Sequence, residues 1–496
     1  MKIYNGYKRL SRNYTLLTDA YEYNMAYAYF MTGKYKEEAA FDIFFRKVPN
    51  NGGYAIMAGV DKIIEFIKNL HFGERELDYF KRNGYDEKFI NYLKNFKFTG
   101  NIYAIPDGTP VFPNEPLITI KAPLIEAQII ETALLTFING AMEHATGAKR
   151  IIEAVPKNIN VIDLPKTPVM EFGARRADGA EAAIDSSIYG IMAGCSGTSN
   201  VLAANMLNIK ALGTMAHSFI ESFPTEFEAF KTYAEIFPNN CTLLVDTYDT
   251  LRSGIPNAIK TFKYMKDKGM NLKNIGIRID SGDLAYLSKE ARKMLDNAGF
   301  PQAKICLSNG LTAETIETLI NQGACFDTLG VGDNISKPDG RMGCVYKEVA
   351  LNQDGIWIPK LKLSNDTIKI INPDYKKLYR AYDKKNGYAI ADIMTRQDER
   401  IDKDNLLIVC PTDQLKSKTI TDFELVELQK PIFINGKLVY DDPNIFEKQK
   451  YCFEQMNTIY PEVKRTIMPH EYYVDGTKEY VDFKYDMINK TKKLIK

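Results

Sequence analysis

Between Val169 and Val331, short apolar runs alternate with longer stretches of helical period. Val169–Phe172, Ile209–Gly213, Leu243–Asp246, Ile275–Asp280, Lys304–Ser308 and Thr328–Val331 each read as a buried strand. Ala180–Ala193, Ser199–Leu207, Phe227–Phe237, Ile255–Lys268, Leu284–Ala298 and Ala313–Gln322 read as helices between them. Short continuous apolar runs separated by helical stretches predict parallel strands joined by right-handed crossovers. Polar motifs follow strand after strand, which favours a barrel, because a barrel brings those strand ends to one mouth. Neither a glycine-rich dinucleotide fingerprint nor a P-loop lysine motif interrupts the pattern.

The flanks read differently. Thr18 or Asp19 predicts the cap of a helix running to about Met31 and closed by Gly33, with Tyr21, Met25 and Ala28 as one stripe. Phe41–Phe45 reads as a strand with Arg46-Lys47 at its end, a surface basic pair on these residues alone. Tyr54–Asn69 and Glu76–Asn95 predict helices, Asn101–Thr109 and Val111–Ile120 strands, and Leu124–Ile138 a strongly apolar core or interface helix. His144, shortly after it, is read as structural. Beyond Arg341 the pieces are short antiparallel strands: Ile356–Leu363, Thr367–Ile371, Leu378–Asp383, Tyr388–Met394, Leu406–Val409 and Leu425–Leu428. Two charged helices close the chain, Asp441–Glu454 and Thr477–Ile495. The expected organisation is an N-terminal α+β domain (1–130), an α/β barrel with the active site (131–350), and C-terminal strands and helices (351–496) packing with the first domain. No repeat or low-complexity linker marks a hinge.

Composition narrows the function classes. The 496 residues suffice for two or more domains with sizeable cores. Net charge is +1, from 64 basic and 63 acidic residues, which leaves no electrostatic case for nucleic acid or an anionic membrane. An anionic substrate must then be met by local charges. The seven cysteines form no CxxC pair and predict buried free thiols in a reducing compartment. The basic N-terminus has no apolar core, so it is not read as a signal peptide, and no apolar run reads as long enough to cross a bilayer. Together these place the protein in the cytoplasm.

Candidate chemistry gathers at the predicted strand ends. His217 follows Ile209–Leu212, and a neutral imidazole there serves as base or as nucleophile toward phosphorus; on that segment alone it equally caps a helix or fills a gap. Ser308-Asn309-Gly310 and Gly330-Val331-Gly332 each follow a strand, where glycines let backbone N–H groups approach phosphate or simply make turns. The helix after Asn309-Gly310 adds its positive end. Asp280 and Asp283 flank Ser281-Gly282; the first suits ribose or Mg2+, the second an N-cap. Asp246 and Asp249 are second-line candidates. Arg175 and Arg278 carry planar donor forks for carboxylate or phosphate, although each alone reads more often as a salt-bridge arginine.

The ordered set Glu171-Phe-Gly-Ala-Arg-Arg176, Gly213-Thr-Met-Ala-His-Ser-Phe219, Val245-Asp-Thr-Tyr-Asp-Thr250 and Arg278-Ile-Asp-Ser-Gly-Asp283 resembles nicotinate phosphoribosyltransferases. Thr18-Asp-Ala-Tyr21, Phe44-Phe-Arg46, Gly53-Tyr54 and Gly59 match too, so the resemblance spans nearly the whole chain. It implies an irregular (β/α) barrel of type II phosphoribosyltransferases plus a second α+β domain built from both terminal segments. It implies transfer of a phosphoribosyl group from 5-phosphoribosyl 1-pyrophosphate to nicotinate, with Mg2+, and with ATP as co-substrate hydrolysed through a phosphohistidine at His217. Asp280 would assist catalysis and, with Asp246, hold the metal. Tyr21 and Phe172 would sandwich the pyridine ring, while Arg175, Thr214 and Arg278 would bind its carboxylate. Arg46, Asn309, Gly310, Gly332 and Asp333 would bind the phosphoribosyl donor. Tyr21 would reach its site across a homodimer interface, so active sites would be shared.

Two positions depart from the family pattern. Relatives usually carry a lysine where this chain has Gly147, and many carry a threonine where it has Asp333, a carboxylate that would repel phosphate unless a cation intervenes. Ser196, at the expected place of an acidic residue in nicotinamide-specific relatives, favours nicotinate. A non-catalytic nucleotide-binding descendant is the rival from another class, and retention of His217, Arg278 and Asp280 together weighs against it.

Overall fold

The computed structural model describes residues 12–155, 168–363 and 370–495. The described residues form two compact units, one within His144–Asp339 and the other made of those up to Glu143 together with those from Gly340 onward. The first boundary falls inside the helix Glu131–Ala154.

In the His144–Asp339 unit, six parallel strands form one sheet in the order Gly197–Thr198, Val169–Glu171, Thr328–Val331, Lys304–Ser308, Ile275–Ile279, Cys241–Leu244. The apolar runs form these strands because both of their faces are buried; Ile277, Ile279, Leu307, Leu329 and Val331 are fully buried. Parallel pairing puts every strand's carboxyl end on one edge. The barrel is open, with Gly197–Thr198 and Cys241–Leu244 at its two edges. Helices lie where helical period predicts them, at Ala180–Ala193, Ile255–Asp267, Leu284–Asn297 and Ala313–Asn321.

One expected strand does not form. Ile209–Gly213 is irregular and partly exposed, and its ladder to the sheet is reduced to Leu212 N–H donating to the Thr198 carbonyl (2.8 Å). Lys210 interrupts the apolar run, and Asn208 enters it in the left-handed conformation (φ 54°), so the segment turns along the sheet edge instead of extending it. The short strand Gly197–Thr198, absent from the sequence expectations, takes the edge place.

The other unit holds two larger sheets. A seven-stranded sheet interleaves both ends of the chain: Glu38–Phe44 lies between Ile118–Pro123 and Val345–Gln353, and Asn101–Ala104 pairs with Lys430–Ile434. A six-stranded sheet runs from Asp413–Thr421 at one edge through Asn405–Cys410, Val474–Thr477, Ala389–Arg396 and Lys376–Asp383 to Phe423–Glu427. Its core is Ala381, Ala391, Ile393, Leu406, Ile408, Ile420 and Phe423. Val345–Gln353 and the largely polar Asp413–Thr421 are strands absent from the sequence expectations.

Other corrections are local. The predicted helix Glu76–Asn95 is two helices, Glu74–Arg82 and Glu87–Lys94, broken where Gly84 turns left-handed (φ 78°). The first helix, Ala20–Thr32, buries Glu22, Tyr23 and Ala26, not the Tyr21, Met25, Ala28 stripe. Tyr23 outcompetes its neighbours because its ring packs edge-on against Phe80 (4.7 Å) and Phe72 (6.2 Å) while its hydroxyl reaches the Thr15 carbonyl. Leu124–Ala154 is long and apolar enough by composition to cross a bilayer, contrary to the sequence reading, yet 67% of its most apolar window is buried within the protein. The predicted strand Thr367–Ile371 lies largely outside the described residues. All seven cysteines are free thiols, five of them buried.

Candidate active site

Construction of the strand-end edge starts with Asp246, just past Cys241–Leu244. Its Oδ2 accepts the Asp280 backbone N–H (3.0 Å) and the Ser281 hydroxyl (2.6 Å), tying two neighbouring strand ends together. The Asp280 carboxylate accepts the Ser308 hydroxyl from the next strand. Three consecutive strand ends are thus laced by two carboxylates. A short helical turn, Thr250–Gly254, supports this edge from behind, and its first turn is capped by Asp249, whose Oδ1 accepts from Leu251 and Arg252. Gly254 backs onto the strand so closely that a Cβ there would collide with the Val245 carbonyl. Asp249 and Asp283 both act as caps, the latter through Tyr286 N–H (2.9 Å), as expected for Asp283.

His217 stands at the start of the helix His217–Glu221. Its Nδ1 lies 3.0 Å from the Thr247 hydroxyl, which brings it to the Asp246 strand end although its own segment is no strand. Arg278 leaves its strand toward the same loop, and its Nη2 donates to the Met215 carbonyl (3.0 Å). Three polar atoms here are buried with no hydrogen-bond partner: Thr214 Oγ1, Arg278 Nε and Asp246 Oδ1. A buried orphan donor or acceptor is costly, and three of them along one edge mark where a polar ligand would satisfy them.

Glu171 organises the other end of the sheet. Fully buried at its strand's end, it accepts from Gly173 N–H (2.5 Å), Ser187 Oγ (2.9 Å) and Thr198 Oγ1 (2.5 Å). Those bonds fix the turn that carries Phe172 and Arg175. Phe172 is half-buried and its ring occupies the space over Gly330, where a Cβ would meet it at 2.6 Å. Gly330 is therefore glycine to seat an aromatic ring, not to admit phosphate. Gly332 has no such crowding. Arg175 is exposed on the Ala174–Arg176 turn.

Asn309 and Gly310 are both left-handed, with φ 102° and φ 58°. Gly310 adopts this freely; Asn309 holds it at a cost, which is the kind of local strain found at binding turns. The following helix is closed by its own capping box between Thr312 and Thr315, so part of its N-terminal donor capacity is spent internally. Asp333 does not face phosphate uncompensated: Arg176 Nε lies 3.3 Å from its Oδ1. At Gly147, a Cβ would lie 2.8 Å from the Asn334 carbonyl, so glycine is demanded by packing. His144 is buried with Nδ1 2.9 Å from the Ile335 carbonyl, a structural contact. Ser196 does not stand at the carboxyl edge; it precedes its strand, and its hydroxyl donates to the Val169 carbonyl (3.0 Å), so it carries no weight in choosing between acid and amide.

Tyr21 and Arg46 belong to the other unit and lie in one cluster there. Tyr21 is 47% exposed, and burial and the adjoining Glu131 carboxylate push its phenol above the ordinary value. Burial pushes the Lys347 ammonium down, opposed by Glu131 and reinforced by Lys362 and Arg46. The Arg46 guanidinium lies 5.6 Å over the Phe44 ring, and its Nε is buried without a hydrogen-bond partner. Gly53 of the same stretch is a packing glycine, since a Cβ there would collide with the Val463 carbonyl.

Sequence reasoning missed Glu171, Thr247 and Arg176 as parts of the site. Glu171 had a signal, a carboxylate inside an apolar run; Thr247 and Arg176 had none apart from standing inside matched motifs.

Three family models match: the nicotinate phosphoribosyltransferase N-terminal domain at residues 16–139, the nicotinate phosphoribosyltransferase family at 167–362, and its C-terminal domain at 375–484. A Bacillus subtilis nicotinate phosphoribosyltransferase is 40% identical over 485 residues, covering 97% of this chain and 96% of the relative. A Dictyostelium discoideum nicotinate phosphoribosyltransferase is 32% identical, covering 94% and 87%. The crystal structure of human nicotinic acid phosphoribosyltransferase shares the fold, with TM-score 0.82 at 24% identity over 95% of this chain and 100% of that one. Motif order, strand-end geometry and these full-length matches place the chain in the nicotinate phosphoribosyltransferase family.

Proposed function

We propose that the chain forms nicotinate mononucleotide and pyrophosphate from nicotinate and 5-phosphoribosyl 1-pyrophosphate, with ATP hydrolysed through a phosphohistidine at His217, as a salvage step of NAD biosynthesis. The observation that carries the reading is the trio of buried, unpartnered polar atoms, Thr214 Oγ1, Arg278 Nε and Asp246 Oδ1, on one strand-end edge. A hydroxyl and a guanidinium together suit the carboxylate of nicotinate. Breaking the bond between ribose C1 and pyrophosphate develops positive charge on the sugar, so positioning and fixed charges supply the catalysis. Asp280, held by Ser308, is placed to face the ribose; Phe172 offers a face to the pyridine ring; Asn309-Gly310 and Gly332 offer backbone donors to phosphate.

The donor set also fits Mg2+. Two carboxylates, one with a free buried oxygen, suit a hard cation that completes its shell with water and substrate phosphate oxygens. Asp246 and Asp280 would hold it, and when bound it would neutralise charge on the departing pyrophosphate. Among the described residues no group of three or more His, Cys, Asp or Glu side chains forms an all-protein metal cage.

Tyr21, exposed on a helix of the other unit, is assigned to the pyridine ring of a partner subunit in a homodimer. The free thiols suit a reducing compartment, and we place the enzyme in the cytoplasm.

Turnover with nicotinate, 5-phosphoribosyl 1-pyrophosphate and Mg2+, with and without ATP, tests the activity; absence of nicotinate mononucleotide overturns it. Label from γ-labelled ATP should appear as acid-labile phosphate on the wild type and vanish in His217→Asn. Undiminished labelling of that variant would reject the phosphohistidine.

A further inference from the structure

A second cavity, of about 460 Å3, lies at the six-stranded sheet and contains none of the strand-end residues. Its size is in the range of small-molecule sites. One wall is the edge strand Asp413–Thr421, and the facing wall is the return segment from Tyr460 to Tyr473.

The rings that line it are held from behind. Tyr460 stacks on Tyr388 at 4.5 Å and 20°. Tyr472 stacks on Phe112 at 3.7 Å and 13°, and its hydroxyl donates to Asp392 (3.1 Å). That carboxylate is itself gripped by the buried Arg380 (2.7 and 2.6 Å), so Tyr472 is fixed by both of its ends. Tyr473 is different: it is 45% exposed, with His470 against it edge-on at 6.1 Å and the Lys418 ammonium 5.6 Å above its ring. The His470 Nδ1 is occupied by the Glu471 carbonyl (2.7 Å), which leaves Nε2 for another partner. The segment is braced as well, because the Val463 carbonyl fills the space over Gly53. Two of its aromatic walls, Tyr460 and Tyr472, are thus fixed before binding, which lowers the entropy cost of ordering them.

We propose that this cavity binds a nucleoside monophosphate. The heteroaromatic base stacks on Tyr473, a contact that tolerates any base because each has a π-face. The phosphate takes the Lys418 ammonium, and His470, whose Nδ1–H goes to the Glu471 carbonyl, offers Nε2 as an acceptor to a sugar hydroxyl. The free backbone edge of Asp413–Thr421 supplies hydrogen bonds to the sugar and base. Asp383 and Glu462 in the lining set a limit on negative charge, which favours one phosphate over two or three.

Titration calorimetry of the full-length protein with adenosine 5′-monophosphate, without nicotinate or 5-phosphoribosyl 1-pyrophosphate, tests this. Saturable binding is expected. Tyr473→Ala and Lys418→Ala should each weaken it by about tenfold or more, as stacking and phosphate contacts of this kind are worth. Adenosine and inorganic phosphate, as separate probes, should each bind more weakly than the nucleotide by a similar factor. Tyr473→Phe should retain binding, since the ring and not the hydroxyl does the stacking. Asp280→Asn should leave it unchanged, which separates this cavity from the strand-end site. Both truncated side chains are exposed, and an unchanged melting midpoint verifies the fold of each variant. Absence of saturable binding overturns the proposal. So does binding that survives both Tyr473→Ala and Lys418→Ala, or that is lost in Asp280→Asn.

Discussion

Arg278 illustrates how single residues carry this site. Its Nη2 is committed to the Met215 carbonyl while its Nε is buried and unmatched, so the fork is half used by the protein. Arg278→Ala should weaken nicotinate by about 2–5 kcal/mol, the cost of truncating one partner of a desolvated charge pair, and nicotinamide far less. Isothermal binding of both ligands to both proteins checks it; equal weakening would remove Arg278 from the carboxylate. Glu22 makes a prediction in pH. Burial raises its carboxyl to about 7, against hydrogen bonds from Thr132 and Thr18 that lower it. A carboxyl raised in the folded state holds its proton longer there than in the unfolded chain. Its stabilising contribution is therefore full below about pH 4.5 and is lost as pH rises through about 7. Glu22→Gln should flatten the fall in melting midpoint between about pH 4.5 and 7, the window between the unfolded and folded titrations. A variant whose midpoint falls as steeply as wild type would refute the assignment. Neither feature was legible from sequence, where Arg278 alone reads more often as a salt-bridge residue and Glu22 as a polar position on a tyrosine-rich helix.

Strands and helices were more legible than the turns between them. Lys304–Ser308, Thr328–Val331 and Ala180–Ala193 form over the residues their patterns mark, because a run buried on both faces or a full helical stripe leaves no cheaper conformation. Ile209–Gly213 fails because one apolar run satisfies either an edge strand or a packed loop, and only the neighbouring backbone decides. Glycines were similarly ambiguous. Gly330 seats Phe172, Gly53 admits Val463 and Gly147 admits Asn334, whereas Gly310 has open space around it. Gly254 carries the element-scale prediction. Gly254→Ala forces the turn Thr250–Gly254 away from Val245, and with it the Asp246 carboxylate that holds Asp280 N–H and the Ser281 hydroxyl at the neighbouring strand end. The variant should lose about 1–3 kcal/mol of stability from overpacking and lose 5-phosphoribosyl 1-pyrophosphate affinity as well. Urea unfolding paired with substrate titration reads both. Intact affinity in a destabilised protein would show that Asp246 is placed independently of this turn.

At the scale of the molecule, the assignment of Tyr21 to a partner's site predicts complementation. Tyr21→Ala and His217→Asn chains, unfolded and refolded together in equal amounts, should recover roughly a quarter of wild-type ATP-coupled activity, because about half of the dimers are hybrid and each holds one intact site of two. No recovery from confirmed hybrids would leave Tyr21 as a residue of its own unit, where Glu131 already holds it.

Pattern and motif order determined the parallel α/β unit, the return of the C-terminal strands to the N-terminal segment, and the family. All three follow from local facts, since periodicity is set by which faces are buried and motif order by the chemistry each strand end must present. Tertiary structure alone decided which polar groups meet. Asp246 joins Asp280 across 34 positions of chain and Thr247 joins His217 across 30, through hydrogen bonds that no local pattern encodes. It also decided which charges are answered, as where Arg176 offsets Asp333, and which polar atoms remain unanswered. The physical reason is that burial of an apolar face is a sum over one segment's own residues, whereas satisfaction of a polar atom depends on what distant segments bring within about 3 Å of it.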